Sequence, residues 1–175
     1  SKTKHSVIAL RRGQNLPCVD VGKEPIWISK EMNAIAISDF KGVDVLVHLA
    51  TVGVSPKEAT WQELFYWNTL VMLDLLEKAH LAGVKRVVLA GSFAEYGLSA
   101  SKFEFIPTDA PLMPTSPYAA SKAAGFIAAN AFAIEHQMEL CYLRIFSAYG
   151  EGQYIKNFWP SLREAALSGA DFEMT

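Results

Sequence analysis

Cysteine is scarce in this chain. Cys18 and Cys141 are the only two in 175 residues, far apart and at no spacing that suits a metal. Two free thiols fit a reducing compartment, so a cytoplasmic protein is expected. No apolar run reaches ~18 residues without a charge, which argues against a transmembrane span. The opening stretch SKTKHSVIALRRG lacks the long apolar core and cleavage site of a signal peptide. Basic runs are missing too, and the net charge is −2, so neither nucleic acid nor an anionic membrane is an expected partner. Trp61, Phe65, Tyr66 and Trp67 crowd together without a basic stripe, which makes them core or interface rather than a platform for bases. His5, His80 and His136 sit with no carboxylate cluster. His48 closes an apolar run and reads as a packed residue, so no metal site is expected. There is no internal repeat and no low-complexity tract.

What the chain does have is apolar residue in runs: 51% hydrophobic against 19% charged, the balance of a globular domain with buried strands. HSVIAL (5–10) reads as a strand closed by a turn at Arg11, Arg12 and Gly13. LPCVDV and PIWIS are short strand candidates, and MNAIAISDFKG is either a strand or a helical turn. VDVLVHLA (43–50), VKRVVLAGS (84–92) and MELCYLRIFSAYG (138–150) read as strands covered on both faces. A loop with Gly53, Ser55 and Pro56 follows the first of these. Residues 57–83 then form a long helix stopped by Gly83, and a second, Ala-rich helix runs from Tyr118 to about His136. FWPSLREAALSGA (158–170) starts another. The first long helix is apolar nearly all round, more than one sheet face requires, so a second partner is expected on it. Strand and helix alternating in this way give an α/β fold, a doubly wound parallel sheet.

In such sheets ligands sit beyond the carboxyl ends of the strands. Those ends carry His48-Leu49-Ala50-Thr51, Gly91-Ser92 and Phe146-Ser147, and Tyr118 opens the helix between the last two. Tyr118 and Lys122 are four apart on that helix and therefore share a face. An isolated phenol titrates near ~10, and an adjacent ammonium favours its ionised form, which is how a tyrosine is brought into acid–base work. A hydroxyl at Ser92 bonds the same substrate oxygen. Such a set moves a proton on an alcohol while a hydride moves at its carbon. No side chain carries hydride, so a nicotinamide is implied.

The segments VDVLVHLA, WNTLVMLDLLEKAHLAGVKRVVLAGS, EYG (95–97), SPYAASKAA and LRIFSAYGEGQ together resemble the extended short-chain dehydrogenase/reductases, in particular the nucleotide-sugar epimerase/dehydratase group. They cover most of residues 43–153. The resemblance implies an NAD(P)-dependent enzyme acting on a nucleotide sugar, with Tyr118 as acid/base, Lys122 on the nicotinamide ribose and Ser92 on the reacting sugar oxygen. It makes Asn68 a water-mediated support of the lysine, places Leu49, Ala50 and Phe146 along the cofactor, and puts Phe93 and Ser147 against substrate. It also implies a homodimer through helices 57–82 and 118–136.

The departures from the family pattern are as informative. No Gly-x-x-Gly-x-x-Gly turn is present, and HSVIALRRG looks like the family's second strand. The expected layout is thus a dinucleotide-binding domain over 1–150, incomplete at its start, and the beginning of a substrate domain over 151–175. Where NAD-preferring members carry an acid, this chain has Leu10, Arg11 and Arg12, so NADP is favoured over NAD. The Asp-Glu pair of the sugar dehydratases is replaced by Phe93 and Ala94, with Glu95 one position late, so epimerisation or keto-sugar reduction is expected in preference to dehydration. The alternatives are a non-catalytic dinucleotide-binding sensor or scaffold, and a reductase of a non-sugar ketone.

Overall fold

The computed structural model describes residues 5–14, 19–54 and 58–172. Cys18 and the Ser55-Pro56 part of the loop lie outside the described residues. The described chain forms two compact units, one of residues 1–29 with 147–175 and one of residues 30–146.

In the first unit, β1 (Ile8–Arg11) pairs in parallel with β2 (Ile26–Ser29), Ile8 opposite Ile26. Val19–Val21, the described part of the LPCVDV candidate, is not a strand. The helix expected near residue 158 is present as Phe158–Ser168. It ends at Gly169, whose φ of 70° supplies the left-handed stop that a side chain disfavours.

The second unit holds a three-stranded parallel sheet in the order β3 (Val45–His48), β4 (Arg86–Ser92), β5 (Glu139–Ile145). The ambiguous MNAIAISDFKG stretch forms neither a strand nor a full helix but two 3-10 turns, Met32–Ala34 and Ile37–Phe40, the second closed by the Asp39 carboxylate on the Ala36 N–H. β4 is the best-covered strand. On β3 and β5, however, alternate residues are open: Val45, Val47, Cys141, Leu143 and Ile145 are all exposed. The expectation of strands covered on both faces therefore fails for β3 and β5, because within this unit helices cover one face of the sheet.

That covered face is the core. Met72 and Leu76 meet Val87 and Leu89 of β4, with Ala129, Ala133 and Met138 closing the cluster; each large side chain so buried stabilises by roughly 1.5–3 kcal/mol. The first long helix, α1, starts at the Thr60 cap, which accepts the Glu63 N–H while Glu63 returns a carboxylate to the Thr60 N–H. It is not uniform. An α-helical turn (Trp61–Phe65) gives way to a π-helical stretch (Tyr66–Val71) before α-helix resumes (Met72–Leu81). The extra residue of a π-turn changes which side chains face the neighbouring helix. Here it brings Asn68 and Thr69, both buried, onto α2 (Pro117–Glu135). Ser116 caps α2 through the Ala119 N–H, and Pro117 takes the first helical position, where no N–H is needed.

The two helices meet closely at Gly125. A β-carbon there would lie 2.8 Å from the Asn68 carbonyl oxygen. Gly125→Ala is therefore expected to push α2 off the π-stretch and cost ~1–3 kcal/mol, read as a lower urea midpoint; an unchanged midpoint would contradict the close approach.

His48 ends β3 and is buried. Burial, with the Lys122 charge second, holds its imidazole down to about 4 from the usual 6.5. The unfolded chain binds that proton near pH 6.5 and the folded chain refuses it until about pH 4. Stability from this group is thus complete above about pH 6.5 and lost as pH falls toward 4, by ~3 kcal/mol at most. Denaturation midpoints at pH 7 and pH 5 should differ in the parent protein and converge in His48→Gln.

Candidate functional site

The carboxyl ends of β3, β4 and β5 and the first turns of α2 bring together most of the predicted residues in the second unit. Ser92 is the last residue of β4 and caps the 3-10 turn Phe93–Glu95. It is buried. Its Oγ accepts the Ala94 N–H at 3.2 Å, leaving its proton to donate elsewhere. Its own N–H donates to Glu95 Oε1 at 2.7 Å. Ser-x-x-Glu is thus a reciprocal capping box at a strand end. Read only as a displaced dehydratase acid, Glu95 was missed in the sequence; the capping-box spacing after an apolar run is the signal that finds it.

Lys122, one helical turn after Tyr118 on α2, is 6% exposed and donates from Nζ to the Ala90 carbonyl at 2.5 Å, two residues before Ser92. Burial pushes its ammonium below the usual lysine range, and the Glu95 carboxylate opposes that push. The half-buried ring of Tyr118 lies beside Gly53: a β-carbon at Gly53 would come within 3.5 Å of Tyr118 Cδ2 and 2.3 Å of Leu64 Cδ2. With a φ of 83° as well, position 53 is glycine for two reasons.

Asn68 is fully committed. It accepts the Thr51 hydroxyl and the Val52 N–H and donates to the Val52 carbonyl and to Ser121 Oγ, at 2.9–3.1 Å. An amide has two donor hydrogens and two acceptor lone pairs, so these bonds exhaust it. With its side-chain amide Asn68 ties the loop after β3 to Ser121, the residue next to Lys122.

The rim is apolar where β3 and β5 end. Leu49 and Ala50 are exposed, and Phe93 stacks on Phe146 with centroids 5.4 Å apart and planes at 24°. Ser147 is exposed and belongs to the other unit, as do the two arginines. Arg11 lies 5.0 Å from the Trp27 ring and bonds Ser29 Oγ and Gln14 Oε1; Arg12 is exposed. Among the described residues no group of three or more histidines, cysteines or carboxylates could hold a metal, and no helix is long and apolar enough to cross a membrane.

Known proteins are similar to this chain in sequence and in fold. A uronate dehydrogenase from Pseudomonas syringae pv. tomato is 31% identical over 113 residues, 65% of this chain and 40% of that protein. A UDP-glucose 4-epimerase from Lacticaseibacillus casei is 31% identical over 110 residues, 62% of this chain and 32% of that one. The solved structure of MoeE5 in complex with UDP-glucose and NAD is 32% identical with a TM-score of 0.76, over 94% of this chain and 54% of that one. The chain thus spans about half the length of that solved relative and less of the two curated ones. The profile of the NAD dependent epimerase/dehydratase family matches residues 1–175. The expected α/β fold of parallel strands and helices is therefore borne out, and the chain belongs to the NAD dependent epimerase/dehydratase family.

Proposed function

We propose that the protein is an NAD(P)-dependent epimerase or ketoreductase of a nucleotide-linked sugar, with Tyr118, Ser92 and Lys122 as its working set. The observation that carries this reading is the tie of Ser92 and Lys122 to the last three residues of β4, with Tyr118 one turn before the lysine. In this reading the Tyr118 hydroxyl gives or takes the proton of the sugar oxygen. The free hydrogen of Ser92 bonds that same oxygen and orients it. Lys122, with one donor spent on Ala90, keeps two for the ribose hydroxyls. The dinucleotide supplies the hydride chemistry when bound. This chain's residues fit its nicotinamide end: Leu49, Ala50 and the Phe93–Phe146 stack offer apolar walls beside a hydroxyl and an ammonium. Arg12, exposed at the end of β1, is the residue that would meet a 2′-phosphate, since Arg11 is engaged by Trp27, Ser29 and Gln14.

The same reading disfavours dehydration. Elimination needs an acid–base pair at the sugar, and Phe93 and Ala94 stand in those places. Glu95 is fully buried and bonded to Ser92, Tyr142 and Arg144, so it has no exposed face for substrate.

We also propose a homodimer through α1 and α2. Leu70, Ile127 and Ile134 are 59%, 62% and 71% exposed, joined by exposed Trp61 and Tyr66, and such a helical face calls for a cover.

Tyr118→Phe in the full protein is expected to lower turnover ~10²–10⁴-fold while leaving the circular dichroism spectrum and dinucleotide affinity in place; near-parental turnover on every nucleotide sugar accepted by the parent would refute the mechanism. Leu70→Glu with Ile134→Glu is expected to convert a dimer to a monomer by light scattering, and a dimer that survives both charges would place the interface elsewhere.

A further inference from the structure

Tyr118 sits in the first turn of α2, behind Ser116 and Pro117. The N–H groups of a first turn have no partner within the helix, so the backbone there is anchored chiefly through its carbonyls. The Tyr118 carbonyl takes the Lys122 N–H in the i to i+4 pattern of the helix. It also accepts a second donor, the Ser121 hydroxyl at 2.8 Å. Ser121 is 0% exposed, and its Oγ lies 3.0 Å from Asn68 Nδ2 of α1. The direction of these bonds follows from the backbone partners of the amide. The Val52 N–H can only donate and the Val52 carbonyl can only accept, so an amide that meets both has one orientation, Oδ1 toward the N–H and Nδ2 toward the carbonyl. Nδ2 therefore donates to Ser121 Oγ, and the single hydroxyl proton of Ser121 goes to the Tyr118 carbonyl. The same amide reaches Tyr118 a second way. It holds Val52 by both backbone groups, and the next residue is Gly53, beside which the Tyr118 ring lies: a β-carbon at Gly53 would be 3.5 Å from Tyr118 Cδ2. Backbone and ring of the tyrosine are thus both referred to one point on α1.

We propose that Ser121 is a positioning residue of this site, whose buried hydroxyl carries the Asn68 brace into the Tyr118 backbone and so fixes where the phenol points. The proposal rests on the reading of Tyr118 as the acid/base and adds what aims it. A merely structural serine would serve only the contact between α1 and α2. Thr69 already serves that contact: its hydroxyl donates to the Ser121 carbonyl at 3.0 Å, joins the same two helices at the same residue, and spends its one proton there. The two hydroxyls can therefore be compared. Removing either one deletes a buried bond between α1 and α2, and only the loss of the Ser121 hydroxyl cuts the path from Asn68 to the tyrosine backbone.

The full protein is prepared with 3-fluorotyrosine, and the Tyr118 fluorine line is assigned by its loss in Tyr118→Phe. In Ser121→Ala that line is expected to move by more than its own width, and in Thr69→Val to stay in place. With a nucleotide sugar that the parent turns over, Ser121→Ala is expected to lower kcat about tenfold or more at a KM within about twofold of the parent, because a displaced acid/base costs rate rather than binding. Thr69→Val is expected to keep kcat within about twofold of the parent, whatever stability it loses. An unmoved line in Ser121→Ala, an equal move in Thr69→Val, or an equal loss of kcat in the two variants overturns the proposal. If Ser121→Ala is not folded by circular dichroism, Ser121→Cys takes its place, since a thiol fills the position but is a weak donor, and the same outcomes decide. The fluorine spectrum needs neither dinucleotide nor sugar, so it tests Ser121 even where no nucleotide sugar is turned over. Near-parental turnover in Tyr118→Phe would remove the role given to the phenol and leave the position of its ring still decided by the line.

Discussion

Asn68 sets the geometry on which the rest of this unit depends. A side-chain amide buried without partners costs more than it contributes, and this one is affordable only because all four of its hydrogen-bonding positions are met. Meeting them requires the loop after β3, the π-turn of α1 and Ser121 of α2 to converge on one point. A π-stretch in α1 presents Asn68 and Thr69 to α2, and Thr69 adds its own bond to the Ser121 carbonyl. The absence of a side chain at Gly125 then lets the helices close. Lys122 follows Ser121 directly, so the brace that closes the helix pair also aims the lysine at β4.

A second constraint works from the other side. The Glu95–Arg144 pair is deeply buried, with Glu95 0% and Arg144 12% exposed. Taking two charges from water is costly, and such pairs persist where further hydrogen bonds satisfy them. Ser92 and Tyr142 provide those bonds, and three aromatic faces surround the guanidinium. The outcome is a rigid strand end with one hydroxyl and one ammonium held against it. Rigidity at a strand end is what proton transfer requires, since reach and direction must be right before acidity matters.

Much of this was legible beforehand. Apolar runs located β3, β4 and β5, and the stop at Gly83 and the Ala-rich run after Tyr118 located the two long helices, while the start of the first, expected at 57, lies at Trp61 behind the Thr60 cap. The Tyr-x-x-x-Lys spacing put both residues on one helix face. Three things were not legible. A π-turn has no spacing rule in sequence, so the bonds of the Asn68 amide to Thr51, Val52 and Ser121 could not be read from its place in the helix. The reach of Glu95 back to Ser92 was written as Ser-x-x-Glu, but its bonds to Tyr142 and Arg144 join β4 to β5 across 47 and 49 residues. Finally, an apolar run does not reveal whether one or both faces of a strand are covered, because Val, Leu and Ile serve either case; Val47 and Leu143 remain open.

The sequence by itself determined the family, the parallel α/β class and the residue types at the strand ends, because periodicity, caps and motif spacing are local and survive in one dimension. Tertiary structure alone decided which of those side chains are spent on the protein and which remain free: the Asn68 amide is saturated and Glu95 is buried in bonds to Ser92, Tyr142 and Arg144, while Ser92 keeps its proton. That division depends on distances between elements far apart in the chain, and a hydrogen bond is made or lost within a few tenths of an ångström.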